Sequence, residues 1–247
     1  MATRFPGFST KALTFFRELE KNNDRNWFAA HKELFETEVR QPMIALTSLI
    51  CDDFRKLAAD YVPEKPEKAI FRIYRDTRFS KDKTPYKTHI GSFLQHRRIE
   101  KNAGAAFYFE VSHRGVGLGG GMYMPGPEQL QAVRQTLTTK WEQLAKICAD
   151  RALVKALGPV QGDKMARVPK GFDPQSPAAE WLRYKQIYYY LELPAKLALT
   201  PDLYKEILGR LKLLVPFNDF LNNAVIAALR AGEGDKADRP VRPEPMF

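Results

Sequence analysis

The chain has 247 residues, 44% of them hydrophobic and 12% aromatic, which points to a globular protein with a substantial core rather than a disordered one. Lys and Arg outnumber Asp and Glu by 39 to 29, and the resulting net charge of +10 favours anionic partners such as phosphorylated metabolites or nucleic acid. The two cysteines, Cys51 and Cys148, offer no disulfide framework, and no apolar run reaches the roughly 20 residues that span a bilayer, so a reduced, cytoplasmic protein without a membrane segment is expected.

Ser9 is placed to cap a helix whose Leu13, Phe15, Phe16 and Leu19 form an apolar face, and Asn22-Asn23 tolerates the left-handed turn that ends it. Asp24 reads as the N-cap of a second helix running through Trp27, Phe28, His31, Leu34, Phe35 and Val39, and Pro42 suits the first turn of a third, Met43 to about Ala59. After a proline-containing loop, Tyr61 to Lys68, the period changes. Ile70–Tyr74, Ile90–Leu94, Ala105–Val111 and Val116–Leu118 predict an antiparallel meander. Pro127 opens a long helix to Cys148 that would cover one sheet face, and a shorter helix stops at Gly158-Pro159. Further on, Gln161–Val168 predicts a short strand, Ser176-Pro177 a helix start, and Ile187–Leu193 a strand stopped by Pro194. Two final helices are expected, Thr200 to about Leu214 and Phe217 to Ala231, followed by a loose tail over 232–247. The whole predicts one α+β domain over residues 1–231, with a mainly antiparallel sheet of about four to six strands, an N-terminal helical region and C-terminal helices packed on the sheet.

The stretch from Phe71 to His89, F-R-I-Y-R-D-T-R-F-S-K-D-K-T-P-Y-K-T-H, concentrates the charge. Arg72, Arg75, Arg78, Lys81, Lys83 and Lys87 face only Asp76 and Asp82, a local surplus of +4, and Tyr74, Phe79 and Tyr86 are interleaved. Side chains alternate along a strand, so arginines three apart cannot share one face, and Arg75 and Arg78 are expected where a strand gives way to a loop. Arginine suits planar recognition of phosphate or carboxylate, and lysine acts as a mobile point charge. The leading expectation is an anionic small ligand, with phosphoryl-type chemistry as an extension in which Asp76 or Asp82 holds a divalent cation. One alternative is a nucleic-acid-binding protein; another is a structural lattice in which the two aspartates pair with neighbouring cations. His89 is a candidate general acid or base. The four histidines show no H-x-H or H-E-x-x-H spacing, so no metal site and no cofactor is indicated. Neither is an oligomeric state.

Two further clusters stand out. Gly115–Gly121 contains a literal G-x-G-x-x-G, but M-Y-M-P-G-P separates it from the helix at Pro127, which removes the context of a dinucleotide fingerprint. Gly119, Gly120 and Gly121 then read either as a strand packed closely on a helix or as a bare backbone wall for a ligand. Asn23, Arg25 and Trp27, in N-N-D-R-N-W-F, read either as a ligand rim or as helix-capping chemistry. Tyr188-Tyr189-Tyr190 fits strand packing, or stacking on bases.

F-P-G-F-S at 5–9, N-N-D-R-N-W-F-A-A-H-K at 22–32, the 71–89 stretch and G-L-G-G-G-M-Y-M-P at 117–125 together resemble the family named domain of unknown function 2461, over about residues 5–225. The resemblance implies a bacterial-type soluble protein, and that the three clusters are the family's own signature blocks. It implies no reaction, ligand or catalytic residue.

Overall fold

A computed structural model describes residues 5–100 and 103–237. Helix α1 (Thr10–Lys21) begins where the Ser9 hydroxyl accepts from the Ala12 N–H, and it buries Leu13, Phe15, Phe16 and Leu19. Asp24 caps α2 (Arg25–Ala30), its carboxylate accepting from the Asn26 and Trp27 N–H groups at 2.8 and 3.0 Å. The expected second helix is broken at His31, whose ring Nδ1–H donates to the Trp27 carbonyl at 2.8 Å and competes with the helical bond there. A short α3 (Lys32–Leu34), a π-helical segment (Phe35–Arg40) and α4 (Gln41–Leu57) follow. The wide π turn still leaves Phe35 and Val39 buried.

The architecture is α+β. Strands β1 (His89–Gln95), β2 (Ala106–Ser112), β3 (Gly115–Met122) and β4 (Ile187–Pro194) form one four-stranded antiparallel sheet in the order β1-β2-β3-β4. The helices α5 (Pro127–Cys148), α6 (Arg151–Leu157) and α7 (Ala179–Leu182) lie between β3 and β4 in the chain. Two expected strands are reduced to isolated bridges. Residues 70–75 run beside β1 and the segment leading into it, with bridges Ile70↔Ser92 and Tyr74↔Tyr86, but Pro85 has no N–H to return the bond that Arg75 donates to it. Residues 161–168 touch β4 through Gln161↔Tyr188, and Gly162, at φ +137°, turns the chain away.

The last two expected helices are one, α8 (Asp202–Ala237), continuous through Pro216. An internal proline costs about 3 kcal/mol, and Leu211, Leu214, Phe217 and Leu221, all fully buried on either side of it, outweigh that. The helix also takes in the first residues of the expected tail, 232–237; residues 238–247 lie outside the described residues. The expected start at Ser176-Pro177 yields only the four-residue α7, with the Ser176 hydroxyl accepting from Ala178 N–H.

Strand alternation sorts the sheet into two faces. Ile90, Leu94, Phe107, Phe109, Val116, Leu118 and Tyr189 point inward, where α8 and α4 cover them and α5 packs on α8. Two polar fixtures hold this core. Asn222 on α8 accepts from the Ala105 N–H at 2.7 Å and donates to the Ala105 carbonyl and the Tyr61 hydroxyl, each at 2.9 Å, while Tyr61 donates to Asp219. The buried Arg134 guanidinium on α5 donates to the carbonyls of Leu182 and Tyr184 at 2.9 and 3.0 Å, just ahead of β4. Among the described residues, no helix is long and apolar enough to cross a membrane.

Candidate functional site

The opposite sheet face is where the glycines act. In register across the strands, Tyr108, Gly119 and Tyr190 form one row, and Glu110, Gly117 and Glu192 the next. Gly115, Gly117, Gly119 and Gly121 alternate onto this face, so β3 contributes no side chains to it and the middle of the sheet is a trough. The cavity there has a volume of about 730 Å³. Phe71, Phe93 and Tyr108 form one wall, and Tyr123, Gln161, Tyr188 and Tyr190 the other.

Glu110 sits at one end of this trough with three donors aimed at it. The Tyr108 hydroxyl donates to Oε2, the Tyr190 hydroxyl to Oε1 at 3.1 Å, and His89 Nε2 stands 3.2 Å from Oε2. Two glycines make room for this convergence. A Cβ on Gly91 would come within 2.8 Å of the Tyr108 hydroxyl, and one on Gly117 would overlap the Tyr190 hydroxyl and lie 2.9 Å from Glu110 Oε1. Burial, reinforced by the Glu110 charge, pushes both phenols above the ordinary tyrosine range. His89 is shifted down, first by burial and then by Lys87, against the opposing pull of Glu110. Burial also lowers Lys87, with Arg72 adding to the effect and Glu110 opposing it.

The basic stretch forms an irregular hairpin whose tip largely pairs with itself. Arg78 grips Asp76 with two bonds, at 3.0 and 2.7 Å, and Arg75 bonds both Asp82 and Thr84. Asp82 also accepts from the Thr84 N–H at 2.9 Å, and Lys83 donates to the Thr77 carbonyl at 2.9 Å. These bonds hold both aspartates down at about 2, through Arg78 for Asp76 and through Thr84 and Arg75 for Asp82. Arg72 and Lys81 are exposed and form no ion pair among the described residues. Lys87 turns inward instead, its Nζ 4.8 Å above the Phe71 ring that walls the trough.

A second cavity of about 310 Å³ lies at the base of the hairpin, lined by Asn23, Arg75, Asp82, Tyr86, Lys87 and His89 among others. His89 and Lys87 line this second cavity and each reaches a residue of the trough, His89 reaching Glu110 and Lys87 the Phe71 ring. Asn23 exchanges two 3.0 Å hydrogen bonds with the Tyr86 backbone and so docks the α1–α2 turn against the hairpin. Trp27 stacks on His31 at 4.0 Å and lines neither cavity; Arg25 is exposed on the same helix. Of the expected site residues, Gly119, Gly120 and Gly121 line the trough; Asn23, Arg75, Asp82, Tyr86, Lys87 and His89 line the second cavity; Arg72, Arg78, Lys81 and Lys83 stay on the hairpin. The sequence reading missed Tyr108, Glu110, Phe93 and Gln161. Its signal was the alternation in A-F-Y-F-E-V-S, which sets Tyr108 and Glu110 opposite the core residues Phe107, Phe109 and Val111. Among the described residues, no group of three or more His, Cys, Asp or Glu side chains is placed to hold a metal ion.

Fold and site together define an α+β protein whose helices cover one sheet face and leave an aromatic, glycine-floored trough on the other. The sequence profile of the family described as Conserved hypothetical protein (DUF2461) matches residues 11–220, and the chain belongs to that family. No curated protein matches it.

Proposed function

We propose that the chain binds a small molecule bearing a phosphate or carboxylate, with its body in the trough and its anionic group at the end where Lys87 and Arg72 lie. The observation that carries this reading is Lys87. Its ammonium is partly withdrawn from water over Phe71 and has no ion pair among the described residues. A desolvated cation without a counter-ion is costly, and an incoming anion would offset that cost. The other cations serve differently: Arg75 and Arg78 shape the hairpin through Asp82 and Asp76, and Arg72 adds positive potential beside Lys87.

The test is thermal shift and calorimetry against nucleotides, sugar phosphates, dicarboxylates and polyphosphate. Saturable stabilisation that is lost in Lys87→Gln but kept in Arg78→Gln supports the reading. No saturable stabilisation by any of these probes overturns it. One observation favours a nucleic-acid reading as the second choice: Phe79 is 94% exposed at the hairpin tip, beside Arg78 and Lys81. Stacking and phosphate contacts there predict binding of single strands that falls steeply with salt and is lost in Phe79→Ala. The Glu110 carboxylate on the open sheet face argues against a polyanion lying across it.

A further inference from the structure

We infer that the ligand body lying over β3 carries several hydroxyl groups, which makes the ligand class a phosphorylated or carboxylated sugar or polyol. The inference rests on the anion-binding reading above and concerns the part of the same trough that lies between Tyr108 and Tyr190. An ionised carboxylate only accepts hydrogen bonds, and a phenol has a single proton to give. Tyr108 and Tyr190 both spend that proton on Glu110. Each phenolic oxygen is then left with lone pairs alone, so the two tyrosines offer acceptors, not donors, to anything in the trough. Gln161 adds a third acceptor: one Nε2–H donates to the Tyr190 carbonyl at 2.7 Å, which leaves its side-chain oxygen and its second N–H for the cavity it lines. The β3 backbone cannot supply donors in return, because its N–H groups are engaged in the ladders with β2 and β4.

A ligand that satisfies the Tyr108, Tyr190 and Gln161 oxygens brings donors to both walls of the trough, since Tyr108 stands on β2 while Tyr190 and Gln161 stand on the β4 side, and it also needs acceptors for the second Gln161 N–H and the Tyr123 and Tyr188 hydroxyls. Hydroxyls spread round a saturated ring meet that requirement. The rest of the lining suits the same chemistry, because Phe93, Tyr123 and Tyr188 offer aromatic faces to the C–H faces of such a ring. A purely apolar acid would leave the acceptors without partners on binding, and buried acceptors without donors discriminate strongly against such ligands.

The experiment is calorimetric titration of the full chain with glucose 6-phosphate, ribose 5-phosphate and myo-inositol 1-phosphate, against cyclohexyl phosphate and inorganic phosphate. At least one hydroxylated phosphate should bind about tenfold or more tighter than cyclohexyl phosphate. In Tyr190→Phe and in Tyr108→Phe that advantage should shrink to roughly threefold or less. If cyclohexyl phosphate binds as tightly as every hydroxylated probe, or if both Phe variants keep the advantage, the hydroxyl inference is overturned while the anion reading stands. If none of the five probes binds, the hydroxyl inference is overturned, and the anion reading falls with it only when the nucleotides, dicarboxylates and polyphosphate also give no saturable stabilisation.

Discussion

Gly117→Ala is the sharpest probe of how the sheet builds its site. The added methyl would overlap the Tyr190 hydroxyl and lie 2.9 Å from Glu110 Oε1, and both of those atoms are at the far ends of side chains that can swing away. The fold should therefore survive while the Tyr190–Glu110 bond, 3.1 Å long, is lost. A hydrogen bond to a charged group is worth about 1.5–3 kcal/mol, and alanine in place of glycine returns about 0.5–1 kcal/mol through the stiffer unfolded chain. The net loss is about 0.5–2.5 kcal/mol, which for a chain of this size lowers Tm by about 1–10 °C. Alkaline titration of tyrosinate absorbance supplies a second readout, because Tyr190, released from Glu110, should ionise at lower pH than in the parent protein. Gly119→Ala is the contrast. Its methyl meets the Tyr189 backbone carbonyl rather than a side chain, so β3 and β4 must part and the loss of stability should be larger. A Gly117→Ala protein that melts no lower than the parent and keeps its tyrosine titration would refute the account, as would a Gly119→Ala protein less damaged than Gly117→Ala.

Three other outcomes are expected. His89 holds its proton less tightly in the folded chain than its ordinary 6.5, so the unfolded chain takes up protons first as the pH falls. Stability should decline from about pH 6.5 downward, and urea midpoints at about pH 8 and about pH 5 should lie closer together in His89→Gln. Asn222→Ala leaves both Ala105 backbone groups and the Tyr61 hydroxyl short of a partner, and should cost about 3–5 kcal/mol in urea unfolding. Arg78→Gln removes only the exposed pair with Asp76, so thermal melting should be nearly unchanged.

Where periodicity carried the information, the sequence reading and the structure agree. Ser9 and Asp24 cap the helices they were assigned, and the runs at 90–94, 105–111 and 116–118 form the meander, while Ile70–Tyr74 does not join it. It failed where one local signal competed with packing. Pro216 reads as a helix stop, yet the buried residues on both sides of it carry α8 through. The π turn at Phe35–Arg40 leaves no mark in the apolar spacing, because Phe35 and Val39 are still four apart. For the site, charge density drew the reading to the hairpin, where much of that charge is spent internally on Asp76 and Asp82. The trough depends on register instead. Only the pairing of Tyr108 and Tyr190 across Gly119 shows that side chains distant in the sequence converge on Glu110, and no composition or spacing rule encodes that pairing.

Arg134 has a consequence for how the site tolerates acid. Ion pairs fail once their carboxylates are protonated, and at the hairpin tip that limit is set by Asp76 and Asp82, both at about 2. The entry to β4 is fastened differently, by a guanidinium bonded to the neutral carbonyls of Leu182 and Tyr184, which have no proton to gain in that range. The wall bearing Tyr188 and Tyr190 thus hangs from a fastening indifferent to carboxylate titration, and in strong acid the hairpin should loosen before that wall does.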